Sequence, residues 1–275
     1  MTGSESDDGS IHRLAQRLTA HGSERIDEVV AEERAVALVY NGISHAVMMA
    51  TPCDLEDFAI GFSLTERIVE KASEIYDIEV EDIKIESGGR GIEVRLKIAA
   101  QRMAGLQERR RSLAGRTGCG LCGVDSLEAA LRPVARSLAT GAVSRRAIER
   151  AMAALPAHQR INRLNGATHA AGWAAADGSL VLVREDVGRH NALDKLGGAL
   201  AASGAAGAGG FVVVTSRCSY EMVQKAAALG AVAIAAVSAP TSLAIETAEQ
   251  AGIALVAFVR EDRLTVYANS QRIVS

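Results

Sequence analysis

A chain of 275 residues with a formal net charge of −3 can bury one large or two modest cores, and that charge argues against nucleic acid or an acidic membrane surface as partner. Aromatic residues make up 3% of the chain and apolar residues 48%, a balance that suits packed α/β layers over an aromatic-rich β-sandwich. Four cysteines are too few for a disulfide scaffold, which favours a reducing cytoplasm where a close cysteine pair means chemistry or metal.

The start, MTGSESDDGS, is acidic and polar where a secretory signal needs a basic start and an apolar stretch, so residues 1–25 are expected to form a disordered tail. RAVALVY and ISHAVMM, joined by Asn41-Gly42, have the composition of a hairpin with a tight turn. A helix is expected after Thr51-Pro52, with Leu55, Phe58, Phe62 and Leu64 on one face. EIYDIEVEDIKIES and GIEVRLKI form a second strand pair around Gly88-Gly89, and AQRMAGLQERRRSLAG reads as a helix ending in Arg109, Arg110 and Arg111. Residues 26–115 are thus expected to form a smaller N-terminal α+β domain, 116–123 a mobile cysteine loop and 124–275 an α/β domain.

Asp125 with Glu128 resembles a capping box opening a helix that Pro133 should bend or end. A helix over SRRAIERAMAAL and a hairpin turning at Asp177-Gly178 follow. From there helices NALDKLGGALAA, SYEMVQKAAAL and SLAIETAEQA alternate with strands GFVVVTS, AVAIAAV and IALVAFV. Such alternation predicts a mixed, largely parallel sheet covered by helices, with ligands at the carboxyl ends of the strands. The uncharged run Ala226–Ile245 is interrupted by Gly230 and Pro240, and a helix end, a strand and a new helix account for it better than a membrane span.

Cys119 and Cys122, in RTGCGLCGVDS, admit three chemistries. Structural zinc wants four ligands, and the other candidates, Cys53, Cys218, His169 and His190, are scattered along the chain. Dithiol redox suits Cys122 just ahead of a helix, but the preceding segment is not a strand. Persulfide carriage needs an accessible thiolate on a flexible loop; the glycines at 118, 120 and 123 and the arginines nearby supply both conditions. The residues alone leave all three open.

GCGLCG, REDVGRHNALDKL and SRCSYEMVQKAA, with TPCDLEDFAIGF and NGATHAAG, resemble the formate dehydrogenase accessory sulfurtransferase family from about residue 30 to the C-terminus. The resemblance implies a cytoplasmic homodimer that takes sulfur from a cysteine desulfurase and passes it to the bis(molybdopterin guanine dinucleotide) form of the molybdenum cofactor, activating formate dehydrogenase. It implies a C-terminal three-layer sandwich similar in fold to cytidine deaminases, without their zinc motif and without a metal of its own. By position it makes Cys119 the persulfide carrier and Cys122 its helper or the alternative carrier. It also assigns Phe258, Val259, Arg260, Glu261, Asp262 and Arg263 to cofactor binding, where a guanine nucleotide such as GDP would also sit. Ser216, Arg217, Ser219 and His190 are further candidates at strand ends, with Asp186 and Arg189 expected to pair. The rival expectation is a non-catalytic chaperone that binds the pterin dinucleotide and hands it to formate dehydrogenase.

Overall fold

The computed structural model describes residues 9–85, 88–111, 134, 136–137, 139–205 and 209–275, without the side chains of 107–111. Cys119, Cys122, Arg116 and the helix expected after Asp125 lie outside the described residues, as do the side chains of Arg109, Arg110 and Arg111.

The polar N-terminus departs from expectation. Residues Ser10–Thr19 (β1) and Gly22–Ala31 (β2) form an antiparallel ribbon in continuous register from Ser10↔Ala31 to Thr19↔Gly22. A tail that is disordered to residue 25 is therefore incorrect. Low hydrophobicity misled because cross-strand pairs hold this ribbon without a core, among them Arg17 with Glu24 and Glu28 and His12 with Asp27.

The hairpin β3 (Arg34–Tyr40) and β4 (Ile43–Ala50) turns at Asn41-Gly42 with positive φ at both residues, 46° and 81°, as two-residue hairpin loops require. With β5 (Ile75–Lys84) and β6 (Arg90–Ile98) it builds a four-stranded sheet of order β4-β3-β6-β5. Helices α1 (Leu55–Thr65) and α2 (Ala100–Arg111) cover one face, burying Val36, Leu38, Val94 and Leu96 against Phe58 and Phe62. Helix α1 starts after Thr51-Pro52 because Thr51 is held elsewhere. Its amide donates to Asp186 and its carbonyl accepts from Lys195, bonds that fix extended backbone.

The second half centres on a six-stranded sheet of order β13-β12-β11-β10-β8-β9. Its strands are β8 (His169–Ala174), β9 (Leu180–Asp186), β10 (Phe211–Val214), β11 (Ala233–Ala236), β12 (Ala254–Ala257) and β13 (Thr265–Ala268). The sheet is mixed, but only β10–β11 and β11–β12 are parallel; the pairings β8–β9, β8–β10 and β12–β13 are antiparallel. "Largely parallel" is thus too strong, because hairpins add an antiparallel strand or pair at each side of the three central strands. Helix α3 (Arg145–His158), capped by the Ser144 hydroxyl accepting from the Ala147 amide, packs on one face. Helices α5 (Arg189–Ser203), α6 (Tyr220–Ala228) and α7 (Ser242–Ala251) pack on the other, completing three layers. The short α4 (Arg160–Asn165) precedes β8, and β7 (Val143–Ser144) pairs with β14 (Ile273–Val274). The run Ala226–Ile245 comprises the end of α6, β11 and the start of α7, and no described helix is long and apolar enough to cross a membrane.

The two halves meet where α1 crosses α5. A Cβ on Gly61 would overlap the Asp194 carbonyl, and one on Gly198 would overlap the Asp57 carbonyl, so glycine is what lets the helix backbones touch. Polar groups lock the same seam. Lys225 bonds both Asp194 oxygens (2.8 and 3.0 Å), Glu66 (2.9 Å) and Thr65 (3.0 Å). Burial alone would drive this ammonium towards neutrality, but Asp194 and Glu66 reverse that and hold it charged above the ordinary lysine range.

Candidate functional site at the strand ends

Strands β9, β10, β11 and β12 run in one direction, so their carboxyl ends share an edge, and β8, antiparallel to its neighbours, begins there with His169. Neighbouring strands lie about 4.8 Å apart, so the row from β12 to β9 extends roughly 20 Å. This is the sheet edge where α/β folds gather ligands.

The acidic half of REDVGRH supports the scaffold. Arg184 turns to Asp57 of α1 at 2.7 Å. Glu185 accepts from the Ile161 and Asn162 amides (2.9 and 2.8 Å) and the Thr168 hydroxyl (3.0 Å), capping α4. Asp186 accepts from the amides of Thr51 (3.0 Å) and Gly188 (2.8 Å), from Asn191 (3.0 Å), and from Lys195 at 2.7 Å. The expected pairing of Asp186 with Arg189 therefore does not form, because Lys195 neutralises the carboxylate from within the core.

Arg189 is left with a different role. Its Nε is buried without a hydrogen-bond partner, as are His190 Nε2 and Ser219 Oγ. Among the described residues these are the three buried side-chain polar atoms left unsatisfied, and all three stand at this one edge. Arg189 opens the 15-residue α5, and Ser219 is the N-cap of the nine-residue α6. Burial, then the nearby Arg217 guanidinium, push Arg189 below the usual arginine range. The edge has an opposing carboxylate in Glu221, whose Oε2 lies 2.9 Å from His190 Nε2 but off the direction of a good hydrogen bond. The His190 ring holds the Glu221 carboxyl below the usual carboxylate range. Burial, followed by the Arg189 charge, lowers His169 as well, which keeps that imidazole neutral near pH 7.

Each unsatisfied buried group costs about 1–3 kcal/mol until a ligand supplies its partner. Two guanidiniums, two helix N-termini and the Ser219 hydroxyl, set against the single carboxylate of Glu221, could accommodate an anion such as a phosphate or diphosphate. Replacing Arg189 with alanine is expected to weaken inorganic pyrophosphate binding about tenfold by calorimetry. The melting temperature should hold, because the deleted Nε has no protein partner. Unchanged affinity would remove Arg189 from the site.

The other expected residues divide. Arg217 is exposed at the edge, and Ser219 and His190 line it, but Ser216 is buried and donates to the Arg217 carbonyl at 2.9 Å, so its hydroxyl is spent locally. In the segment 258–263, Val259 is core and cannot meet a ligand through its side chain. Phe258 is 39% exposed with φ of 53°, a conformation that strains a bulky residue. The Arg260 amide donates to the Arg263 carbonyl at 2.8 Å, closing the turn, while its guanidinium holds the Val237 carbonyl at 2.8 Å and ties the end of β12 to that of β11. The Asp262 carbonyl accepts from Arg145, and Glu261, Asp262 and Arg263 are exposed at the turn. Cys218, read as a packed thiol, is fully buried, and burial pushes its pKa up to about 12. Arg189, Glu221 and His169 were not singled out from sequence as ligand-facing. Their signal lay inside motifs already quoted, but Arg189 was assigned to Asp186.

The family model for the FdhD/NarQ family matches residues 31–274. A protein of Cupriavidus necator named "Sulfur carrier protein FdhD" is 58% identical over 244 residues, covering 89% of this chain and 83% of its own. Its namesake in Xanthomonas axonopodis pv. citri is 49% identical over 267 residues, covering 96% and 92%. The crystal structure of a Desulfotalea psychrophila protein, assigned as a formate dehydrogenase accessory protein, superposes with a TM-score of 0.70 at 25% identity, covering 96% of this chain and 99% of that one.

Proposed function

This chain belongs to the FdhD/NarQ family, and from that premise we propose that it is a cytoplasmic sulfur carrier for formate dehydrogenase, loaded by a cysteine desulfurase. Sulfur rides as a persulfide on Cys119. The Cys119 thiolate attacks the outer sulfur of the donor's persulfide, a new S–S bond forms as the donor's breaks, and the donor leaves as thiolate with no net redox change. For release, the Cys122 thiolate attacks the Cys119 sulfur. The pair closes as a disulfide while the outer sulfur departs, reduced, as hydrosulfide, and a small-molecule thiol reopens the pair. The acceptor is the molybdenum cofactor in its bis(molybdopterin guanine dinucleotide) form, which is the substrate of this transfer.

The observation supporting an acceptor site in this chain is the set of three unsatisfied buried polar atoms at the strand ends, flanked by Arg189 and Arg217. That donor set fits the diphosphate of a guanine dinucleotide. The exposed Phe258 ring, two strands along the edge from β10, offers a flat face for a base or pterin.

Incubation with a cysteine desulfurase and cysteine, followed by intact-mass analysis, tests the reading. Wild type should gain the mass of one sulfur, removable by a thiol reductant, and Cys119→Ala should gain none. An adduct that survives in Cys119→Ala but not in Cys122→Ala would transfer the carrier role to Cys122. No adduct on wild type, with guanine nucleotide binding intact, would make the chain a cofactor chaperone instead.

A further inference from the structure

Glu221 lies in the first turn of α6, two residues past the Ser219 N-cap, with 21% of its side chain exposed. A carboxylate there suits the helix dipole, and in an isolated helix that would account for it. Its surroundings ask for more. Glu221 and Arg189 are close enough for each charge to act on the other, yet among the described residues no ion pair joins Glu221 to Arg189 or to Arg217. Ser219 makes no capping bond, and Arg189 Nε and Ser219 Oγ stay buried without partners. Lys225, one turn further along α6, is already matched by Asp194 and Glu66. Glu221 therefore leaves the donors of this edge free while subtracting a charge from it. An acid that served only to neutralise the arginines would bond them.

We propose that Glu221 sets the charge of the ligand this edge accepts: a diphosphate esterified at both ends is admitted, and one that ends in a free phosphate is penalised. The inference rests on the acceptor site proposed above and names what that site rejects. An internal diphosphate carries one negative charge on each phosphorus. A terminal phosphate loses a second proton near about pH 6, and that extra charge meets the Glu221 carboxylate at a partly buried edge. Like charges within a side chain's reach of each other in such a setting disfavour binding on the order of tenfold. Below about pH 6 the terminal phosphate keeps its proton, which lowers its charge to that of an ester and offers the carboxylate a donor. A finished dinucleotide has no free phosphate, whereas a mononucleotide always ends in one. Glu221 thus separates the dinucleotide from guanine mononucleotides that share its base.

Calorimetry on the full chain tests this with two probes, GDP and diguanosine diphosphate, in which two guanosines esterify the two ends of one diphosphate. Wild type should prefer the doubly esterified probe at about pH 8, and the preference should shrink towards about pH 5. Glu221→Gln should move the preference towards GDP about tenfold at about pH 8 and less than about twofold at about pH 5. The second guanosine contributes alike to both proteins and drops out of that comparison. So do His169, His190, Arg189 and Arg217, the other charged or titratable groups at this edge, which both proteins carry. Loss of the favourable helix-dipole contact lowers the melting temperature of the variant without changing a ratio of affinities. An equal loss of affinity for both probes overturns the proposal and makes Glu221 an acceptor for a group they share. An unchanged ratio at both pH values overturns it too and leaves Glu221 a residue of the α6 N-terminus. If neither probe binds wild type, the acceptor site itself falls and this inference with it, while sulfur loading on Cys119, read by mass, stands or falls separately.

Discussion

Gly61→Ala is expected to lower the melting temperature by roughly 6–12 °C, although alanine is the better helix former. In a free helix the exchange gains about 1 kcal/mol. At Gly61 the new methyl would occupy the space of the Asp194 carbonyl oxygen on α5, with the Gly198 amide also inside contact distance. Backbone cannot rotate aside as a side chain can, so the two helices must separate. Overpacking of this kind costs about 1–3 kcal/mol and more when backbone must move, and here separation also strains the bonds from Lys225 to Asp194 and Thr65. A net loss of about 3 kcal/mol corresponds to the stated shift for a chain of this size. Gly105 on α2 is the control, since a Cβ there meets nothing within 4 Å. Gly105→Ala should therefore hold or raise the melting temperature. If Gly61→Ala melts with the parent, the α1–α5 contact is looser than its backbone distances indicate.

That contact also explains what the sequence made legible. The strands of the two sheets other than β13, and six of the helices, announce themselves by periodicity and turn chemistry, because each obeys a local rule: Asn41-Gly42 for the hairpin, Ser144 for the α3 cap. The ribbon was missed because its strands bury almost nothing, and the usual strand signal is half-burial. Sheet direction was overread because strand–helix alternation describes only β10 to β12, while β8, β9 and β13 enter by hairpins. The acidic motif residues were misplaced for a deeper reason. Asp186 reads as the partner of Arg189, yet the partners of Glu185 and Asp186, the α4 amides and Thr51, lie 23 to 135 positions away in sequence. No local pattern reports such partners. The resemblance to a family points to this edge of the sheet. Only geometry could show which side chains there are spent on the scaffold and which are free for a ligand.

Lys195→Met is expected to be the most damaging single exchange among the scaffold residues, and to reach the ligand edge without touching it. Lys195 and Asp186 pair at 2.7 Å with both side chains fully excluded from solvent. The ammonium also donates to the Thr51 carbonyl at 2.9 Å. Removing it leaves a buried carboxylate with no cation, a loss of about 3–5 kcal/mol for such pairs, and an unpaired carbonyl besides. Asp186 answers by shifting towards whatever donors or water it can reach. Its Oδ1 holds the Gly188 amide and Asn191, the two bonds that set the turn from which Arg189 and His190 leave. Pyrophosphate affinity should therefore fall with stability, by about tenfold or more, although Lys195 contacts no part of the ligand edge. Asp186→Asn added to Lys195→Met separates charge from shape. The amide oxygen can stand in for Oδ1, accepting from the Gly188 amide and Asn191, while the NH2 takes the place of Oδ2 and gives up the bond from the Thr51 amide. The uncompensated charge is gone, so the double variant should still melt above the single one by at least about 4 °C, the equivalent of 1–2 kcal/mol. If the two losses simply add, the pair acts through packing, and the charge of Asp186 has no part in holding the turn. If they cancel in part, the same buried carboxylate that joins the two halves of the molecule also aims Arg189 and His190 at the strand ends.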